Sequence, residues 1–157
     1  MKMKAIFLII TAIVGFLITN IAFSNSKGIT IIPMLERKAQ TFYIEGRLGD
    51  LGNSDFMVDT GSSYSTINEE SLTKLQQSGK ATYVKDLLGI LADGSEKHVQ
   101  VYRLSSLTLG NKCEVQDIEV AVFPGATRHI LGLNTLRKMG SFEFSFAPPQ
   151  LIIKQCS

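Results

Sequence analysis

The run Phe56-Met57-Val58-Asp59-Thr60-Gly61-Ser62-Ser63 puts an acid at the end of an apolar stretch. A carboxylate carried in on a core strand is costly to desolvate unless hydrogen bonds or chemistry make use of it. The hydroxyls of Ser62 and Ser63 are small enough to sit beside it and orient it. A carboxylate held in this way can take or give a proton, which is general acid–base chemistry. Taken alone, Asp59-Thr60-Gly61 also reads as an ordinary turn, with Asp and Thr bonding their own backbone and Gly taking a dihedral that other residues resist. What sets it apart is a second element far downstream, the apolar-apolar-glycine run Ile130-Leu131-Gly132, followed by a helix cap at Asn134. There is no CxxC, no HExxH and no cluster of histidines, so a zinc site is not supported and no cofactor is implied.

The elements that must position these residues are mostly strands. "GITIIPML" is rich in β-branched residues, and "TFYIEGRLG" turns at "GDLGN" into "SDFMVDT", so residues 41 to 59 read as a β-hairpin whose second strand ends at Asp59. A short helix follows in "TINEESLTKLQQSG", with either a Thr66/Glu69 capping box or Asn68 as its cap, Leu72 and Leu75 on its apolar face, and Gly79 at its end. Asp93-Gly94 between apolar runs marks a tight hairpin at "ADGS". "EVQDIEVAVFPG" alternates through Val115, Ile118, Val120 and Val122, Asn134 caps a short helix ending at Gly140, and "SFEFSF" and "PPQLIIK" close the chain as strands. His98 and His129 read as surface or strand positions, Asp86, Asp93 and Asp117 as turn or surface carboxylates, and Phe142, Phe144 and Phe146 as a core or interface face.

The composition bounds the rest. At 157 residues, with 45% hydrophobic and 19% charged, the chain is one ordered domain with room for an appendage. The net charge of +2 comes from Lys2 and Lys4; after residue 24 the body is neutral. No basic stripe and no aromatic-basic interleaving points to nucleic acid. Residues 1–24 carry a positive start and a charge-free run from Ala5 to Ile18, with Ala22 and Ser24 suiting a cleavage site after Ser24. Thr19 and Asn20 interrupt the run, which favours a signal peptide; extended through Phe23, residues 5–23 would instead be a single-pass membrane anchor. Either reading exports the body, to the periplasm or the outer face of the cytoplasmic membrane. Residues 25–39 then hold a linker and a first strand, and 40–157 the main domain. Cys113 and Cys156 could pair in an exported protein. Spacing does not decide this, and a strand cysteine beside a next-to-last one reads first as unpaired.

"MVDTGSS" and "HILGLNTL" together resemble the single-domain aspartic proteases of the retroviral-protease (retropepsin-like) type, in the branch found in bacterial exported proteins, over roughly residues 40–153. The resemblance implies a mostly β fold, a closed or partly open β-barrel of the acid-protease type with one or two short helices, active as a homodimer. Two carboxylates held close share one proton, and so supply both the base that activates water and the acid that polarises the carbonyl. With one Asp-Thr-Gly per chain, the second Asp59 must come from a twin subunit. The resemblance further implies that Thr60 ties the two loops together, Gly61 lets the backbone pass close, and Ser62 supports the carboxylate. Ala92, Asp93, Gly94 and Ser95 would form a flap tip over an extended peptide, while Ile130, Leu131 and Gly132 cross behind the site. Cys156 would be placed to reach the twin subunit. The implied activity is endopeptidase; the alternative is a peptide- or protein-binding module that keeps the fold without catalysis.

Overall fold

The computed structural model describes residues 28–154 and 156. The N-terminal segment read as a signal peptide or anchor lies outside the described residues. Among the described residues no helix is long and apolar enough to cross a membrane.

The first strands are β1 (Thr30–Pro33), β2 (Leu35–Arg37), β3 (Thr41–Leu48) and β4 (Asn53–Val58). β3 and β4 form the expected hairpin, with Ile44 opposite Phe56 and both fully buried. β3 shows the period of two that this requires, burying Ile44, Gly46 and Leu48 while Glu45 and Arg47 face water. Next come β5 (Ser65–Asn68), helix α1 (Glu69–Gln77), β6 (Ala81–Ile90), β7 (Glu96–Leu109) and β8 (Cys113–Phe123). The chain closes with β9 (His129–Leu131), helix α2 (Leu133–Lys138), β10 (Phe142–Phe146) and β11 (Pro149–Ile153).

Of the two caps expected for α1, Asn68 is the one used: its side chain accepts from Ser71 N at 2.9 Å, while Thr66 stays inside β5. Glu69 and Glu70 sit in the first turn, where the helix dipole favours negative charge, and Leu72 and Leu75 turn into the core. The alternation along β8 slips at Asp117, whose φ is 52°, and Val115 and Ile118, three apart, both face inward. The register with β7 is the same on either side, with Asp117 and Ser105 opposite it both left out of the ladder.

Eight strands run in the order β2-β3-β4-β9-β5-β8-β7-β6, and a further pairing of β3 with β7 turns the sheet back on itself. The fold is therefore mostly β, a partly open barrel with two short helices, as expected. Most neighbours are antiparallel, but β4–β9 and β5–β8 are parallel. The remaining three strands form a small sheet in the order β1-β11-β10. The first strand is thus joined to the end of the chain, with Ile32 and Leu151 opposite one another and buried. The phenylalanine alternation belongs to this sheet: Phe144 meets Phe42 edge-on at 5.1 Å between ring centres, and Phe146 stays 69% exposed.

The reading of the two cysteines as unpaired is corrected. Cys113 and Cys156 form a disulfide with their Cα atoms 5.2 Å apart, within one chain rather than toward a twin. Sequence could not show that β8 begins beside the chain end. The bridge ties the end of the chain to a fully buried position at the start of β8, against Met139. Closing a loop over a sequence separation of 43 restricts the unfolded chain, an effect worth about 4 kcal/mol on the loop-entropy model. Cys156→Ser is accordingly expected to lower the urea midpoint substantially. Adding reductant should bring the unmodified protein down to a similar midpoint and leave the variant where it is.

Candidate active site

Asp59 directly follows β4, and its backbone is fixed before its side chain is considered. Strand β9 runs parallel beside β4, with Met57 opposite Ile130 and Val58 opposite Leu131, and Asp59 N donates to Leu131 O at 3.1 Å. The chain then curls through residues 60–64 into β5. Ser62 N donates to Asp59 O at 3.3 Å, and Gly61 N donates to the carboxylate oxygen Asp59 Oδ1 at 2.9 Å. The carboxylate is half-buried, and Thr60 and Gly61 beside it are exposed. A backbone N–H on one carboxylate oxygen fixes its orientation and leaves the other oxygen open to the groove.

The role expected of Ser62 is corrected. Its hydroxyl donates to Tyr64 O at 2.7 Å, not to Asp59. The loop bends so tightly that the carbonyl two residues on is the nearest acceptor. Ser62 therefore holds the shape of the loop, and Gly61 N–H orients the carboxylate.

Ile130 and Leu131 pair with Met57 and Val58, and Gly132 lies against the backbone of Tyr64 and Ser65 at the end of the loop. Leu131 is fully buried, while Ile130 reaches the groove. A Cβ on Gly132 would overlap the Tyr64 carbonyl and come within 2.8 Å of Ser65 N, so only glycine allows the two backbones to meet. The cap expected at Asn134 is also corrected. Gly132 occupies the N-cap position of α2 and has no side chain to cap with. The free N–H groups of the helix's first turn are used by the loop: Leu133 N donates to Ser62 O at 2.9 Å and Asn134 N to Ser63 O at 3.1 Å. Asn134 instead bridges elements, accepting from Ser65 N at 2.7 Å and donating to Glu119 O at 2.6 Å.

Sequence reasoning missed the polar core of this arrangement. Ser65 Oγ accepts from Gly132 N at 3.0 Å and lies 2.7 Å from Thr135 Oγ1, with both side chains buried. Neither residue carries a periodic or motif signal. Among the described residues, no buried side-chain polar atom lacks a partner. His129, read as an ordinary position, is buried against the Phe56 ring at 5.0 Å and its Nε2 lies 3.1 Å from Ser71 Oγ.

The hairpin of β6 and β7 forms the opposite wall. Its tip is closed by Leu91 N to Ser95 O at 2.8 Å and by Asp93 Oδ1 accepting from both Ser95 N and Ser95 Oγ. Those bonds hold the exposed Asp93 carboxyl below the usual carboxylate range. Gly94 takes φ of 82°, as the turn requires. Of the four residues expected at the tip, Ala92 lines the groove, and Asp93, Gly94 and Ser95 shape the turn without lining it. The apolar wall that sequence reasoning did not single out comes from Leu87, Leu88, Ile90 and Leu91 on the hairpin, with Val99 and Phe123 behind. Ile90 is 75% exposed. Together with Asp59 these residues line a groove of about 1000 Å³. Among the described residues no group of three or more potential metal ligands occurs. The arrangement supplies one oriented carboxylate in a largely apolar groove, a group able to take or give a proton there.

The family model of gag-polyprotein putative aspartyl proteases matches residues 44–138, which include Asp59, the hairpin tip and Gly132. Among solved structures, the chain is similar to a retropepsin-like aspartic protease from Rickettsia conorii, at 25% identity and a TM-score of 0.54, covering 80% of this chain and 89% of that one. Comparison with curated proteins finds no match.

Two outcomes are expected. Gly132→Ala should lower stability and also displace the 59–64 loop; circular dichroism melting and loss of Asp59-dependent function both read this. Burial holds the His129 imidazole below its ordinary value of about 6.5. The unfolded chain therefore binds a proton that the folded one resists, so the contribution of His129 is complete above about pH 6.5 and is lost as pH falls toward the folded value. Urea midpoints measured from about pH 7 to about pH 5 should decline, and less steeply in His129→Gln.

Proposed function

Because the chain belongs to the family of gag-polyprotein putative aspartyl proteases, we propose that it is an aspartic endopeptidase working as a twofold homodimer on peptide segments of exported proteins. The observation that carries this reading is the single carboxylate, Asp59, held by Gly61 N–H at the floor of an apolar groove beside an exposed Thr60. One carboxylate cannot serve as base and acid at once. Two copies facing across a twofold axis would share a proton between them. The ionised Asp59 takes a proton from water as the water oxygen adds to the peptide carbonyl, whose oxygen is protonated by the other Asp59. The tetrahedral carbon then collapses: the C–N bond breaks, the amine leaves with the proton the first Asp59 took up, and a diol hydroxyl returns its proton to the second Asp59, which yields the carboxylic acid and restores the pair. The titration belongs to the pair. The substrate backbone would lie as an added strand between the β6–β7 hairpin and the loop, with the hairpin excluding water as it closes.

Export is part of the proposal. The N-terminal pattern of residues 1–24 supports it, and so does the Cys113–Cys156 disulfide, a bond that persists in oxidising compartments. One observation favours a second reading: among the described residues, a single chain presents one carboxylate to the groove. A chain that stays monomeric would bind peptide without cutting it.

Full-length protein incubated with a peptide library, with its mass measured in solution, tests both readings. Cleavage should follow the dimer, show a bell-shaped pH profile, and fall by at least about a thousandfold in Asp59→Asn while the fold is kept. Undiminished cleavage in that variant would refute the catalytic assignment. A strictly monomeric protein that binds peptide and never cleaves it would establish the binding module.

A further inference from the structure

The groove is apolar with one exception that its proposed chemistry does not use. Among the described residues lining it, Asp59 is the sole carboxylate and Arg128 the sole cation. Arg128 is exposed, in the segment between β8 and β9, two residues before Ile130 on the same wall. Its Nη1 donates to Met57 Sδ at 3.5 Å, a weak acceptor. No ion pair among the described residues includes it. A guanidinium offers five donors in a planar fork suited to a carboxylate, and here that fork faces the groove with no acidic partner.

The surrounding charge has the same sign. Lys85 Nζ lies 5.6 Å over the ring of Tyr64, and Lys97 Nζ lies 5.9 Å over the ring of Phe123; both rings line the groove. Each ammonium is held at the rim by the ring face beneath it. Of the nearby acids, Glu119 pairs with Arg103 and also acts on Lys85, Glu69 accepts from Gly125 N, and Asp93 bonds within the hairpin tip; none pairs with Arg128.

We infer that Arg128 is a specificity-determining residue, and that the groove selects peptides carrying an acidic side chain close to the bond that Asp59 addresses. The inference rests on the proposed peptide-binding groove and names its substrate class. An acidic side chain would gain a bidentate partner beside low-dielectric apolar walls, whereas a basic one would be set against the Arg128 guanidinium. The apolar walls would accept the neighbouring side chains.

The test takes a peptide that the full-length protein cleaves and places Glu, Gln or Lys in turn at each position flanking the cleaved bond, at about pH 6, where Glu is ionised. At one position kcat/KM should favour Glu over Gln by about tenfold and Lys should be the poorest, and Arg128→Glu should reverse the order of Glu and Lys. Equal rates for Glu, Gln and Lys, or a Glu preference that survives Arg128→Glu, would overturn the inference while leaving the protease intact. Fluorescence anisotropy with the same peptides on Asp59→Asn separates the two claims. A preference for Glu over Lys that disappears in the Asp59→Asn/Arg128→Glu double variant would uphold the acidic selectivity even if no peptide were ever cleaved; indifferent binding would refute it.

Discussion

The contact between Gly132 and the backbone of Tyr64 and Ser65 is the constraint on which the rest of the site depends. A loop that ends in an oriented acid needs its carbonyls and N–H groups satisfied from behind, because the front must stay open to a ligand. The missing side chain at Gly132 lets α2 begin directly against the loop. The helix then spends its first free N–H groups on Ser62 and Ser63. These bonds are ordinary in strength, roughly 1 kcal/mol each in net terms. Their value here is positional, since a loop held by backbone donors cannot follow the side chain of Asp59 if that side chain moves.

Barrel topology explains how two segments so distant in sequence reach one another. β4 and β9 are parallel neighbours, so the ends of both strands point the same way and both emerge at the groove. β5 returns between β9 and β8, which brings Ser65 next to Thr135 and Asn134. The buried hydroxyl and amide network formed there is fully partnered, which is the condition for polar groups in a core to rigidify it rather than weaken it. The hairpin of β6 and β7 is built differently. Its strands pair antiparallel with a register shift between Tyr83 and Lys85, and its outer end leaves Leu88 and Ile90 exposed. Apolar residues left exposed on an arm above a groove are those whose burial can reward closure over a ligand.

Much of this was legible in the sequence because it is local. The β3–β4 hairpin, the Asn68 cap and the Asp93-Gly94 turn each follow from a few adjacent residues whose conformational preferences agree. The parts that were not legible depend on distant partners. Ser62 has the right chemistry to support Asp59, but the bend of the loop brings the Tyr64 carbonyl nearer. Asn134 has the composition of a cap, but the arrival of β5 makes Ser65 N its partner. The disulfide escaped for the same reason, since the meeting of β8 and the chain end is set by the small sheet that β11 forms with β1 and β10. Arg128 carried no signal because its meaning lies in what is absent around it.

The floor of the groove and its hairpin wall are built differently. The floor is built from parallel strands, a glycine contact and a closed polar network, all fixed within one chain. On the proposed dyad chemistry one chain is half of a site, since among the described residues its groove is lined by one carboxylate. A second carboxylate supplied by the same chain would need its own strand, loop and helix support, in effect a second copy of the whole scaffold. Supplying it through symmetry needs only that the loop stay exposed where a twin can face it, and Thr60 and Gly61 are exposed there. Such an assembly would keep activity dependent on concentration, because the dyad exists only when two chains meet.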